Sequence, residues 1–185
     1  MTHATTPKFE LNFRTPDAPL TDRIKFTIGQ CVEGNVLVAR SEVGICAIFL
    51  GDDGAALRRQ LHEAFPAHHV DEATEELRGD LAQVVAFVDK STTEGIINLD
   101  IGGTAFQQRV WEALCGIPVG QTRTYAEVAQ CIGAPEAVRA VAGACAANLL
   151  AIAIPCHRVV HSDGRISGYR WGAERKRALR QREQV

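Results

Sequence analysis

The sequence predicts two joined domains, an α/β domain followed by a mostly helical domain. From Ile24 onward apolar and polar residues alternate, as they do in strands that turn one face toward a core. Beyond Gly103 the apolar residues instead recur at three- and four-residue spacing behind capping residues, which is typical of helices. The change of period at the pair Gly102 and Gly103 marks the expected boundary between the domains.

The first domain is expected to contain a small antiparallel sheet. Residues 1–22 are rich in Thr and Pro and are predicted to form a loose leader. In residues 23–101, the segments IKFTIGQC, NVLVAR and ICAIFL are apolar runs separated by short turns that contain Gly. Such closely spaced runs predict an antiparallel meander of three strands.

Two helices and a last strand complete this domain. The first helix begins behind a turn that contains Asp53 and ends at Pro66. The second repeats apolar residues from Leu77 to Val88, and the segment IINLDI after it reads as a short strand. None of these segments carries a catalytic signature, so residues 23–101 are interpreted as a scaffold.

Residues 102–185 contain helices with clear start signals. Capping boxes at Thr104 and Thr124 open two of them. A third helix is expected from Pro135 to about Asn148, because proline fits the first turn of a helix. The last two helices are joined by a tight turn and form a helix-turn-helix candidate, a pattern that many helical hairpins share.

Charge is divided unevenly along the chain. The whole sequence has a net charge of −2. Residues 1–138 hold 11 Lys and Arg against 19 Asp and Glu, a net charge of −8, whereas residues 139–185 hold 9 against 3, a net charge of +6. A basic segment indicates an anionic partner, although a basic solvated surface explains the counts equally well.

The predicted third helix, RAVAGACAAN, contains almost only small residues behind Arg139. It lacks the side chains that read base edges in the major groove of DNA. It could instead enter the narrower minor groove with Arg139 as a long probe, which predicts binding with little sequence preference. A helix packed tightly in a core is the plain alternative.

Six cysteines allow either disulfides or reduced thiols. The chain has no signal-peptide pattern, no apolar run long enough to span a membrane and no cysteine spacing typical of zinc, so we expect reduced thiols in a cytoplasmic protein without a metal. Cys156 follows an apolar run and a proline and precedes a histidine and an arginine. Basic neighbours favour a thiolate, so Cys156 is either a nucleophile or one more buried thiol.

Four segments closely resemble the O6-alkylguanine-DNA alkyltransferase family, namely GTAFQQRVWEAL, TYAEVAQCIGAPEAVRAVAGACAAN, IPCHRVV and GYRWG. The likeness is nearest to the C-terminal half of the Ada type and covers roughly residues 24–185. Its most specific element is IPCHRV with Asn148 eight residues before the cysteine. The resemblance implies a ribonuclease H-like first domain, a helix-turn-helix in the second domain, and a monomer that binds double-stranded DNA and needs no cofactor.

The resemblance also implies a role for each matching residue. Cys156 would accept the alkyl group, His157 would draw its proton through a water, and Glu183 would orient His157. Asn148 would link the recognition helix to the active-site segment, and Tyr125 would help to rotate the nucleotide and would bond the guanine. The expected DNA contacts are Tyr125, Arg139, Ala140, Ala142 and Gly143, and the expected alkylguanine pocket contains Tyr125, Cys145, Val159 and Tyr169.

The chemistry required of such a protein agrees with these residues. The O6 atom of guanine is shielded in a duplex, so the nucleotide must be flipped out, and an inserted Arg139 partly offsets the cost. In-line attack of a thiolate on the alkyl carbon then leaves a stable thioether on Cys156. We therefore expect a single turnover, on O6-alkylguanine and also on O4-alkylthymine.

Three other functions fit parts of the sequence. A DNA-binding regulator would use the helix-turn-helix and leave Cys156 inert. A lesion-binding alkyltransferase-like protein would lack the acceptor thiol, and a Cys-His hydrolase would turn over repeatedly. Ada proteins also carry an N-terminal half with a zinc-bound cysteine, and the sequence has no such cysteine cluster, so the chain is either a stand-alone alkyltransferase or a fragment of a longer protein.

Overall fold

The computed structural model describes residues 8–20, 23–89, 95–166 and 168–184. The chain forms two compact units, residues 1–102 and residues 103–185. In the described residues the first unit is built on a six-stranded mixed sheet, and the second consists mainly of helices. The prediction of an α/β region followed by a helical region is therefore confirmed.

Three strands of the first unit form the predicted meander. These strands, β2 (Arg23–Cys31), β3 (Gly34–Arg40) and β4 (Ile45–Gly51), pair antiparallel in chain order. Most of β3 and β4 is buried. The meander is thus the centre of the core of the first unit.

Three further strands pair in parallel, so the prediction of an antiparallel sheet is wrong. They are β1 (Lys8–Phe13), β5 (His69–Glu72) and β6 (Ile96–Ile101). β6 pairs with both β1 and β4, and β5 pairs with β2, which gives the order β1-β6-β4-β3-β2-β5. Parallel partners are separated by long connections, so local sequence patterns do not reveal them.

Part of the predicted loose leader, residues 1–22, is the edge strand β1. Apolar and polar residues alternate along it, and the ring of Phe9 meets the ring of Phe87 edge to face with centroids 4.7 Å apart. The prediction of a leader is wrong there, because the alternation is too short, and too close to Thr- and Pro-rich residues, to indicate a strand from sequence. Residues 1–7 and 21–22 lie outside the described part of the chain.

Two helices of the first unit, α1 (Gly54–Ala64) and α2 (Arg78–Val88), pack on the meander. The backbone N–H of Ala55 donates to a side-chain oxygen of Asp53 at 3.0 Å, which caps α1 as predicted. Both helices place apolar residues against the sheet at helical spacing. The buried residues within them are Leu57, Leu61, Val84 and Val88.

A buried polar cluster lies beside β6 in the first unit. Asp100 forms an ion pair with Arg14 at 2.9 Å and accepts a hydrogen bond from the hydroxyl of Ser41 at 2.5 Å. Cys46 is buried nearby, and burial together with the negative charge of Asp100 raises the pKa of its thiol to about 12. This thiol is protonated at neutral pH.

Four α-helices form most of the described second unit: α3 (Ala105–Cys115), α4 (Tyr125–Cys131), α5 (Val138–Ala147) and α6 (Ala173–Glu183). The predicted capping boxes are present at the starts of α3 and α4, where the cap side chain and the third helical residue bond each other's backbone. No helix in the described residues combines the length and the apolar character needed to cross a membrane.

The turn between α4 and α5 is longer than predicted. The backbone N–H of Ala137 donates to the carbonyl of Ala134, so Pro135 lies in a turn and not in the first turn of α5. After α5, a one-turn 3₁₀ helix spans Cys156–Arg158. It leads into β8 (Val159–Val160), which pairs in parallel with β7 (Arg123–Thr124).

Candidate active site

A buried and tightly folded segment leads to Cys156. Residues 150–160 are all buried, as the apolar run in the sequence predicts. The carbonyl of Leu150 accepts from the N–H of Ile154 at 3.0 Å, which closes the segment on itself. Ile152 has a φ of 68°, a left-handed conformation that is unusual for a β-branched residue.

Asn148 fastens this segment to the end of α5. Its side chain is fully buried, and its Nδ2 donates to the carbonyls of Leu150 at 3.3 Å and Ile154 at 3.0 Å. The same Nδ2 lies 3.2 Å from Sγ of Cys156, which it also donates to. A donor directed at sulfur favours the thiolate over the thiol, so Asn148 both folds the segment and prepares the cysteine.

Glu183 at the end of α6 is held by two side chains from the 3₁₀ helix. Its Oε1 lies 2.8 Å from Nε2 of His157, and the guanidinium of Arg158 donates to both carboxylate oxygens at 2.8 and 3.0 Å. Burial alone raises the pKa of Glu183, but the hydrogen bonds from His157 and Arg158 and the charge of Arg158 lower it to about 2. Glu183 is therefore ionised at neutral pH.

The loop after α3 supports the same carboxylate. Arg158 donates from Nη1 to the carbonyl of Ile117 at 2.7 Å. Gly120 has a φ of 80°, and a Cβ atom at this position would lie 3.0 Å from the backbone oxygen of Glu183. A glycine is therefore suited to this turn both by its conformation and by the close approach of α6.

His157 is a neutral imidazole. Burial lowers its pKa, although the hydrogen bond to Glu183 opposes this shift. An ionised carboxylate only accepts hydrogen bonds, so the network assigns the ring proton to Nε2 and leaves a lone pair on Nδ1. Nδ1 is buried and has no hydrogen-bond partner among the described protein atoms. The ring can thus act as a base at Nδ1.

Cys156 itself is a deeply buried thiol, with 4% of its surface exposed. Burial raises its pKa, while the hydrogen bond from Asn148 and the charge of Lys176 lower it. The net effect is an elevated pKa, so the thiol is protonated at rest. Forming the nucleophilic thiolate therefore requires a base and a stabilising environment.

A cavity of about 570 Å³ lies in front of Cys156 within the second unit. This volume falls in the range of sites for small molecules. Of the residues predicted from the sequence, those that line it are Tyr125, Arg139, Ala142, Cys145, Cys156 and Tyr169. The lining in the described residues includes no Asp or Glu, so the cavity suits a neutral or anionic group.

One face of α5 is exposed and, apart from Arg139, carries only small side chains. Arg139, Ala140 and Gly143 are exposed, whereas the opposite face is buried. A Cβ atom added at Gly143 would meet no atom within 4 Å, so packing inside the protein does not require glycine there. The exposed face therefore allows a partner surface to come close to the helix backbone.

Several of the site residues predicted from the sequence do not line the cavity in the part of the chain that the structure describes. Asn148, His157 and Glu183 are joined to the Cys156 segment by the bonds given above and do not themselves line the cavity. Val159 is fully buried in β8, where it pairs with Arg123. In the described part of the chain no group of three or more His, Cys, Asp or Glu is placed to hold a metal ion.

Three residues without a predicted role also belong to the site. Arg158 holds Glu183, and the ring of His161 lies edge to face with the ring of Tyr125, with centroids 5.6 Å apart. Lys176 lines the cavity and is 1% exposed. The sequence carries a weak signal for Lys176, because it stands two helical turns before Glu183 and therefore shares its face of α6.

Comparison with known proteins matches the second unit to a family of known function. Residues 105–185 match the family model described as 6-O-methylguanine DNA methyltransferase, DNA binding domain. The bifunctional transcriptional activator/DNA repair enzyme Ada of Escherichia coli is 51% identical over 160 residues, which are 86% of this chain and 45% of that protein. The chain thus spans less than half the length of this curated relative.

Solved structures are similar over most of the chain. The O6-methylguanine methyltransferase of Mycobacterium tuberculosis is 35% identical with a TM-score of 0.70, and the match covers 87% of this chain and 93% of that chain. The structure of Mycobacterium tuberculosis OGT in complex with DNA is 34% identical with a TM-score of 0.70, covering 88% of this chain and 92% of that chain.

Proposed function

This chain belongs to the 6-O-methylguanine DNA methyltransferase family, and on that basis we propose that it repairs DNA by direct reversal of alkylation damage. It transfers one methyl or other alkyl group from O6-alkylguanine in DNA to Cys156, and O4-alkylthymine is a further substrate. The observation that carries this proposal is the hydrogen bond from Asn148 to Sγ of Cys156 at the edge of a cavity. A buried thiol with a directed donor and a nearby base is equipped to become a nucleophile.

Activation of the thiol begins with proton transfer to His157. The Cys156 proton passes through a bridging water to Nδ1, the ring nitrogen that keeps its lone pair. Glu183 accepts from Nε2 and stabilises the imidazolium that forms, and Arg158 fixes Glu183 in place. This division of roles follows the general logic of a nucleophile, a base and a group that orients the base.

The thiolate then attacks the alkyl carbon in line with the bond to O6 of guanine. The sulfur–carbon bond forms as the carbon–oxygen bond breaks, and the electron pair of that bond leaves with the guanine. Tyr125, which lines the cavity, gives the departing base a proton and so improves it as a leaving group. The product is a thioether on Cys156, which no group in the site cleaves, so each chain acts once.

DNA is bound through α4 and α5, which act as a helix-turn-helix with α5 in the minor groove. Ala140, Ala142 and Gly143 allow close approach, and Arg139 fills the space left by the flipped nucleotide. Apart from Arg139, the exposed face of α5 carries no base-reading side chains, which predicts little sequence preference. The basic segment 139–185 contributes salt-dependent attraction to phosphates.

The flipped base occupies the cavity in front of Cys156. Tyr125, Cys145, Tyr169 and the backbone of Val159 surround the alkylguanine. The first unit is a ribonuclease H-like scaffold, and the protein works as a monomer in the cytoplasm without a cofactor or a metal. The six cysteines are free thiols, which supports a reducing compartment.

The proposed function is tested with a duplex oligonucleotide that carries O6-methylguanine with a labelled methyl group. We expect the label on the protein to reach one per chain and then stop, even with excess duplex. Cys156→Ala should take up no label. Repeated turnover, or label uptake by Cys156→Ala, would overturn the proposal.

A further inference from the structure

Lys176 is a buried cation to which the proposed reaction gives no role. It is 1% exposed, although it stands on the polar helix α6 between Arg175 and the exposed Arg177. Removing an ammonium group from water is costly unless a nearby group compensates. Burial lowers the pKa of Lys176, and the negative forms of Cys156 and Cys145 oppose that shift.

The geometry of α6 directs Lys176 to the reactive cysteine. Lys176 and Cys156 line the same cavity. Along α6, Lys176, the buried Leu179 and Glu183 follow one another at three- and four-residue spacing and share a face. One face of a single helix thus supplies a carboxylate to His157 and an ammonium group to the surroundings of Cys156.

The other charged or titratable groups near Cys156 are paired, neutral or, like His161 in the cavity lining, exposed to solvent. Arg158 and Glu183 form an ion pair, and His157 is neutral because burial lowers its pKa. Burial, and after it the proximity of Cys156, raises the pKa of Cys145 to about 12, so this second thiol stays protonated.

Three arginines lie nearby as well. On α6, Arg180 stands one turn beyond Lys176 and repels its charge. Arg139 and Arg170 line the cavity but are exposed to solvent, which screens them. Lys176 is therefore the buried cation whose charge favours the ionised form of Cys156.

We propose that the ammonium group of Lys176 is the counter-charge that stabilises the thiolate of Cys156. The inference rests on the proposed function, because it concerns the moment after Cys156 gives its proton to His157. Lys176 keeps its own proton throughout, and no bond to it forms or breaks. A positive charge in a poorly hydrated site stabilises a nearby anion far more than it would in water. Lys176 is thus a positioning residue that acts through Cys156.

The test is the pH dependence of Cys156 alkylation by iodoacetamide in the full chain without DNA. The variants are K176M and K176Q, which remove the charge, and K176R, which keeps it; R177M on the exposed side of α6 is the matched control. Modification of Cys156 is followed by mass spectrometry of its peptide. Circular dichroism will show whether each variant folds. Because two uncharged variants are used, the midpoint can still be measured in one if the other does not fold.

We expect the midpoint of the alkylation rate to move up by about one pH unit in K176M and K176Q, so that the rate at pH 7 falls roughly tenfold and recovers at alkaline pH. K176R and R177M should follow the wild type. An unchanged midpoint in the uncharged variants would overturn the proposal, as would an equal upward shift in K176R. Slower methyl transfer without a shift of the midpoint would also overturn it, because the charge would then act on the guanine.

This experiment separates the inference from the proposed function. Iodoacetamide contains no guanine, so the alkylation midpoint reports on the thiolate alone. If the midpoint does not move while wild-type protein still takes one methyl group from duplex DNA, the role of Lys176 is wrong and the proposed function stands. If wild-type protein takes no methyl group, the proposed function fails whatever the midpoint does.

Discussion

Cys46 in the first unit and Cys156 in the second are equally buried, each with 4% of its surface exposed, yet their neighbours differ in charge. Beside Cys46, burial and then the negative charge of Asp100, which outweighs the opposing charge of Arg14, raise the thiol pKa to about 12. Beside Cys156 stand the donor Asn148 and the cation Lys176, which both oppose the effect of burial. Burial by itself makes a cysteine inert, and the groups around it decide whether it can become a nucleophile.

The polar clusters around the two cysteines also differ. In the first unit, Asp100 forms an ion pair with Arg14 and accepts from Ser41, so its charge is compensated and the cluster joins the strands. In the second unit, Glu183 accepts hydrogen bonds from Arg158 and from Nε2 of His157. The other ring nitrogen, Nδ1, is a base that has no hydrogen-bond partner among the described protein atoms. The first cluster is suited to stability and the second to proton transfer.

The largest expected effect separates the two cysteines directly. Cys156→Ala should abolish methyl transfer from duplex O6-methylguanine, because the acceptor sulfur is gone. Cys46→Ala should leave one methyl group per chain, because the Cys46 thiol takes no part. Both are measured as labelled methyl bound per folded chain. Loss of methyl transfer in a folded Cys46→Ala variant would show that Cys46, and not Cys156 alone, is needed as a methyl acceptor.

The next effect concerns His157, the base in the polar cluster of the second unit. Glu183→Gln should slow single-turnover transfer by roughly a hundredfold, because an amide stabilises the imidazolium of His157 less than a carboxylate does. Glu174→Gln, at an exposed position of the same helix, is the control and should transfer at the wild-type rate. A change of less than twofold in Glu183→Gln would remove His157 from the proton path.

A smaller effect is expected for Arg139, which acts on the nucleotide and not on the sulfur. Arg139→Ala should slow transfer from duplex DNA by about tenfold, because the flipped state loses a side chain that replaces the base in the stack. Transfer from free O6-methylguanine, which needs no flipping, should change much less. Equal slowing on the two substrates, measured side by side, would argue against this role.

The smallest effect is on stability in acid. The pKa of Glu183 in the folded protein is about 2, below its value in an unfolded chain, so its contribution to stability is complete above the unfolded pKa and is lost as the pH falls toward 2. Between pH 7 and pH 3 the loss should be on the order of 1 kcal/mol for this group. Urea unfolding at both pH values should show a smaller loss in Glu183→Gln, and an identical loss would contradict the assignment.

Local patterns in the sequence predict much of the fold. Thr104 and Thr124 mark the starts of α3 and α4 because a capping box involves only neighbouring residues. The alternation around Phe26, together with the short turns between the apolar runs that follow it, predicts the meander in the same way. The pairing of β1 with β6 is not predictable from such patterns, because the two strands are far apart in the chain and their contact depends on the completed sheet.

The site shows the same limit. The resemblance to the alkyltransferase family implies that Asn148 links α5 to the active-site segment, and in the structure Nδ2 of Asn148 donates to Sγ of Cys156. Lys176 stands among arginines on a polar helix, so the composition of the helix suggests that the Lys176 side chain is solvated. Only its register with Glu183 on α6 indicates that it is buried, and that register has meaning only once Glu183 is known to face the site.

The most direct test of the account is a map of methylation over all six cysteines after exposure to excess duplex O6-methylguanine. Peptide mass spectrometry of the full chain distinguishes each position, including Cys46 and Cys145. We expect one methyl group per chain, carried by Cys156 and by no other cysteine. Methylation of Cys46 or Cys145 at a level comparable to Cys156, or more than one methyl group per chain, would contradict the claim that the neighbours of Cys156 make it the acceptor.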